Sequence, residues 1–185
     1  MASLQITSVQ DLDLLVKSVR SAADRTVRAL RDILSNEGDS LQVLSLMKFK
    51  EIGHHPTDDR PLNIIEQVNQ TFTYLVTLEA ARWLLTQHPS SKGLRINLGT
   101  NAGLDLESLE PGLVAAEAFA ATHVRSNDKL RKDIGRLVEK APDVKHRYVF
   151  FCCPGIELGR QPGLEIAPGV EVWSLPASHV LKAMG

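Results

Sequence analysis

Between residues 11 and 34 the apolar positions Leu12, Leu15, Val16, Val19, Ala22, Ala23, Val27, Leu30, Ile33 and Leu34 gather on one side of a helical wheel. The pattern predicts a long amphipathic helix that stops near Asn36 and Gly38. Its other side carries Lys17, Arg20, Arg28 and Arg31 with Asp24 among them, which reads as a solvated, partly paired face, with a phosphate-facing stripe as the functional alternative. A shorter helix is expected over residues 40–51, with Leu41, Leu44 and Met47 as its inner row. The breaker-rich run from Gly53 through His54, His55, Pro56, Asp58 and Asp59 to Pro61 then reads as an exposed polar loop. Residues 63–87 form the longest periodic segment, with Ile65, Val68, Phe72, Leu75, Val76 and Leu84 at three- and four-residue steps. Length and period here outweigh the β-branched residues between Thr71 and Thr77, and a core helix is expected.

After His88 and Pro89 the period changes from helical to alternating. Residues 94–98 and 104–107 alternate and are separated by the turn signals of 99–103, so two short strands are expected. Residues 113–121 are apolar apart from Glu117; their alanines favour helix, whereas the need of the preceding strands for a partner and the tight Pro111-Gly112 connection favour strand. The strand is the expectation. A helix over 127–139 follows, capped by Ser126 or Asn127 and displaying Leu130, Ile134, Leu137 and Val138. A β-prone run over 147–153, a Gly/Pro-rich loop to Gly169, a last strand over 170–175 and a short helical tail complete the chain. This order predicts an α/β fold, a central mixed sheet flanked by helices. Residues 1–61 read as an N-terminal helical extension and 62–185 as the α/β core, in one compact domain overall.

Composition narrows the partners more than the fold. The 185 residues carry 21 basic and 22 acidic side chains, a net charge of -1, so no global positive field advertises nucleic acid and any polyanion site is a local patch. No basic leader with an apolar run and no apolar stretch of about 18 residues occurs, so neither secretion nor membrane spanning is expected. Cys152 and Cys153 are neighbours that point to opposite faces of a strand; a disulfide between them is not expected, and a reducing cytoplasm fits best.

Charge is scarce in the middle strands, which singles out its exceptions. Asp105 and Glu107 share one strand face, and Glu117 stands alone in an apolar strand. A buried carboxylate needs a cation, an arginine, a proton or an edge position to compensate it. If the strands of Asp105 and Glu117 are adjacent, the two carboxylates converge on one Mg2+ or Mn2+, hard cations that take oxygen ligands and suit phosphodiester hydrolysis. Other constellations are weaker. His54 and His55 beside Asp58 and Asp59 diverge as neighbours; Cys152 or Cys153 with His146 or His123 lacks any sign of a lowered thiol pKa; Asn97, Thr100 and Asn101 are explained by turn chemistry.

The strand order together with these carboxylates resembles the restriction-endonuclease-like (PD-(D/E)xK) nuclease superfamily, over residues 62–175. The resemblance implies an αβββαβ core with an acid on the second strand and an acid-x-lysine on the third. Gly103-Leu104-Asp105 then supplies the first acid, Ala116-Glu117-Ala118-Phe119 the second acid and the lysine position, and Glu66 on the preceding helix a further metal ligand. Phe119 stands where that family places lysine; Lys129 or Lys132 on the following helix is the displaced ammonium, with Lys129 the nearer to the strand end. The implied activity is Mg2+- or Mn2+-dependent hydrolysis of nucleic acid. The alternative is a nuclease-like fold without catalysis, acting as a binding or regulatory module and dimerising through its N-terminal helices.

Overall fold

A computed structural model describes residues 3–36, 38–58, 60–99 and 103–176. The chain divides into two compact units, residues 1–12 with 75–185, and residues 13–74.

The larger unit is built on a seven-stranded mixed sheet in the order β1 (Leu4–Ile6), β4 (Leu94–Ile96), β5 (Leu106–Ser108), β6 (Val114–Ala120), β7 (His146–Cys152), β9 (Val170–Ser174) and β8 (Gly159–Arg160). Strands β6, β7 and β9 are parallel to one another; the remaining neighbours are antiparallel. β6 lies at the centre, which resolves the conflict between its alanine content and its context. Six of its seven residues are buried, and a strand covered on both faces reads as a continuous apolar run.

Alternation along β7 separates the two faces. Tyr148 and Phe150 meet Trp83 on α3 (Ile64–Gln87) at ring-centroid distances of 5.3 Å each, and Trp83 also meets Trp173 of β9 at 4.9 Å. On the opposite face Val149 and Phe151 join Phe119, Val172 and the Leu130, Ile134 and Leu137 stripe of α4 (Lys129–Lys140) in one core cluster. The second half of α3 and the whole of α4 therefore sandwich the sheet, as an α/β fold requires. Helix α4 starts later than expected: Asn127 and Asp128 adopt positive φ, a conformation these side chains tolerate, and Asp128 makes no side-chain cap bond. The helical tail expected after Leu175 lies outside the described residues.

The smaller unit holds α1 (Val9–Asn36) from Asp13 onward, α2 (Ser40–Phe49), the hairpin of β2 (Gly53–His54) and β3 (Pro61–Leu62), and α3 up to Tyr74. In α1 Val19, Ala22 and Thr26 are the buried stripe, and the Thr26 hydroxyl accepts the His54 N–H at 3.2 Å, tying the hairpin to the helix. Two expectations change here. Leu41 and Leu44 are 78% and 59% exposed and α2 buries no residue, so they form no inner row. The 53–61 segment is not simply exposed either, because its His55 is buried.

Candidate functional site

The sheet register assembles the site. Leu106 pairs with Ala116, so one step further Asp105 stands opposite Glu117, and facing residues of an antiparallel pair share a face. One strand further out, Asn97 donates its N–H to the Asp105 carbonyl at 2.8 Å, so Asn97, Asp105 and Glu117 form one row across three strands. The Ala118 N–H donates to Asp105 Oδ2 at 2.9 Å, which fixes the Asp105 side chain against β6. Glu117 is on the α4 face, because its neighbours at two-residue spacing, Ala115 and Phe119, belong to the α4-facing core. The row crosses the middle of the parallel strands: Glu117 is the central residue of β6 and pairs with Val149, the central residue of β7.

Helix α4 supplies the other half. Asp133, 2% exposed, occupies the step between Leu130 and Leu137 of the buried stripe, and Lys129 Nζ donates to its Oδ1 at 2.5 Å. One turn on, Arg136 Nη1 lies 3.1 Å from each oxygen of Glu117. The other oxygen of Asp133, Oδ2, is buried without a hydrogen-bond partner. Three carboxyls and two cations thus meet between β5, β6 and α4.

Their protonation follows from burial. Glu117 is wholly buried, and its pKa is pushed up to about 9, first by desolvation and then by Asp105, Asp133 and its hydrogen bond with Asp105; Arg136 opposes the shift without cancelling it. Glu117 therefore retains its proton at neutral pH. Burial also raises the pKa of Asp133, against the pull of Lys129.

The chain matches no protein-family model, no curated protein and no solved structure. Its chemistry is therefore read from geometry alone. Asp105 and Glu117 come together. Lys129 lies on the same helix as Arg136, paired with Asp133. Glu66 belongs to the smaller unit, where its N–H donates to Asn63 Oδ1 at 2.9 Å and its carboxylate accepts from Asn63 Nδ2, a helix-start arrangement. Glu107 faces Arg95 at 3.9 Å on the surface. Phe119, 2% exposed, stacks on Phe151 at 5.8 Å. Thr100 and Asn101 lie outside the described residues.

Among the described residues no group of three or more His, Cys, Asp or Glu side chains is gathered to hold a metal ion. Asp105, Glu117 and Asp133 are oxygen donors of the kind a hard divalent cation takes, but Arg136 occupies both oxygens of Glu117.

Two other constellations are structural. His55 Nδ1 is 2.8 Å from Asp58 Oδ1 and its Nε2 is 3.2 Å from the Tyr74 hydroxyl. This carboxylate–imidazole–phenol chain resembles a relay, but Tyr74 is 2% exposed and burial pushes its pKa up to about 12, so it locks the hairpin onto α3 and meets no substrate. Burial likewise raises the Cys153 thiol. His146 opens β7 and Cys152 closes it, about 20 Å apart along an extended strand, too far for an acid–base pair.

Arg136 and Asp133 are the site residues that sequence reading misses. A signal was present: Leu130, Asp133, Ile134 and Leu137 follow the i, i+3, i+4, i+7 pattern, and a carboxylate inside such an apolar stripe needs a buried partner.

Proposed function

We propose that the chain is a divalent-cation-dependent nuclease of restriction-endonuclease-like type, hydrolysing phosphodiester bonds in nucleic acid. The observation that carries this reading is the convergence of Asp105 and Glu117 on adjacent antiparallel strands, on the face covered by α4. The order α3, β4, β5, β6, α4, β7, with β4 to β6 antiparallel and α4 leading to a further strand, supports it. Asp105 and Glu117 would hold Mg2+ or Mn2+, which would supply Lewis-acid chemistry at the phosphate. Arg136 neutralises charge beside them, and Lys129 orients Asp133. Saturable Mn2+ binding in calorimetry, lost in Asp105→Ala and Glu117→Ala, together with Mn2+-dependent cleavage of single-stranded DNA, duplex DNA or RNA, is the expected result. Absence of both binding and cleavage sinks the reading.

A second reading is a nuclease-like module that binds without cutting. Phe119 in the core and Arg136 already seated on Glu117 favour it. Cleavage absent while nucleic-acid binding persists selects this alternative. The dimer expected through the N-terminal helices would use the exposed Leu41, Leu44 and Phe49 of α2, and light scattering decides its existence.

A further inference from the structure

A cleft of about 520 Å3 opens at the amino ends of β7 and β9, lined by His146, Arg147 and Tyr148 of β7, the 165–169 loop, Arg160 and Glu171. Its volume lies within the range of small-molecule sites, about 300 to 1,000 Å3. Three fixed cations line it, Lys145, Arg147 and Arg160, against two acids, Glu165 and Glu171. Both acids are engaged by one of those cations: Arg160 reaches Glu165 through Nε at 2.7 Å and Nη2 at 3.0 Å, and Glu171 through Nη1 at 3.3 Å.

That leaves Lys145 and Arg147 without a carboxylate partner among the described residues. Arg147 is nevertheless held in place. Its Nε donates to the Gly169 carbonyl at 3.3 Å and its Nη2 to the Pro168 carbonyl at 3.0 Å, contacts that orient the guanidinium without neutralising it. Gly169 has φ +72°, a conformation that favours glycine, and a Cβ there would lie 2.7 Å from Arg147 Nη2 and push the guanidinium off its present rest. Nη1 stays available. A fixed guanidinium loses little entropy on binding, and beside a mobile ammonium it offers a fork and a point charge, the pair that suits a dianionic phosphate.

We propose that this cleft binds the phosphate group of a small phosphate monoester, gripped by Arg147 and Lys145. The site is independent of the Asp105–Glu117 pair and stands or falls separately from the nuclease reading. The test is calorimetric titration of the full chain with inorganic phosphate in a phosphate-free buffer. Saturable binding is expected, weakened about tenfold or more by Arg147→Gln and by Lys145→Gln, as for loss of a charge-assisted contact. Gly169→Ala is expected to weaken it while leaving every charge in place, and Asp105→Ala to leave it unchanged. Lys145 is exposed and unpaired, so its variant keeps the test valid if an Arg147 or Gly169 variant melts early. No saturable binding by the wild type, affinity unchanged in Lys145→Gln, or acetate binding as tightly as phosphate overturns the proposal.

Discussion

Replacing Glu117 by glutamine tests the buried proton directly. The side chain keeps its shape and loses its ability to ionise. A carboxyl titrating near 4.5 in the unfolded chain and near 9 when folded binds more protons in the folded state at every pH between those values. Unfolding then releases a proton, so stability contributed by Glu117 is fully present below pH 4.5 and lost as pH rises towards 9. At about 1.4 kcal/mol per pH unit, the wild type loses about 3 kcal/mol between pH 4.5 and pH 7 through this group. Glu117→Gln lacks that slope. In metal-free buffer its stability relative to the wild type is expected to improve steadily from pH 5 to pH 8.5, even though its contact with Arg136 is weaker. Urea unfolding across this range, with a chelator present, measures the difference. Adding Mn2+ stabilises the wild type only, because binding to the folded state alone raises its stability and the amide is a poor ligand. Parallel pH profiles for the two proteins would refute the buried proton and the metal argument built on it.

Arg136→Met removes the cation that straddles Glu117, and Mn2+ calorimetry is expected to show tighter binding, by several-fold, if Arg136 competes with the ion; weaker binding would make Arg136 part of the cation's support. Phe119→Ala is expected to cost about 3 to 5 kcal/mol in urea unfolding, a value below 1 showing that the Phe151 stack is not core packing. Phe119→Lys, which places an ammonium at the lysine position of the proposed nuclease reading, is expected to destabilise at least as much, because α4 leaves the ammonium no water. Tyr74→Phe is expected to cost about 1 to 2 kcal/mol by leaving His55 Nε2 without its hydrogen-bond partner. Burial lowers the His55 pKa below 6.5, so the neutral ring's contribution is present above pH 6.5 and is lost as pH falls through the folded value; melting followed from pH 7.5 to pH 5 checks this, and a flat profile opposes it.

The long periodic segments were legible because each has one face in a core. Residues 63–87 and 127–139 read as helices, and the runs near 94, 106, 147 and 170 as strands, each within a few residues of α3, α4, β4, β5, β7 and β9. β1 and β8 were not legible: three and two residues hold no measurable period, and their pairing is decided by β4 and β9. α2 misleads for the opposite reason. Leu41 and Leu44 have the spacing of an inner row, yet spacing says only that residues share a side, and that side is exposed. Of the site, the strand acids could be paired from alternation and turn positions. The helix residues that meet them could not, since which α4 turn crosses Glu117 depends on the 121–128 connection and on the packing of Leu130, Ile134 and Leu137.

That crossing decides which side chain can bring a cation to Glu117. Residues two apart on a strand share a face, so Glu117 and Phe119 both look towards α4, and a cation reaching Glu117 has to come from Phe119 or from the helix above. Phe119 is committed to Phe151, and Arg136, nineteen residues beyond Glu117, delivers the charge. The exchange is not neutral chemically. A lysine with a lowered pKa can accept a proton from water, whereas an arginine stays protonated under all ordinary conditions. Arg136 can orient and neutralise, but a base here would have to be a carboxylate, and Glu117 is protonated at neutral pH. On the proposed nuclease reading, hydrolysis would wait until a cation displaced that proton, which would couple metal binding to proton release and make the pH of metal binding the decisive test of the site.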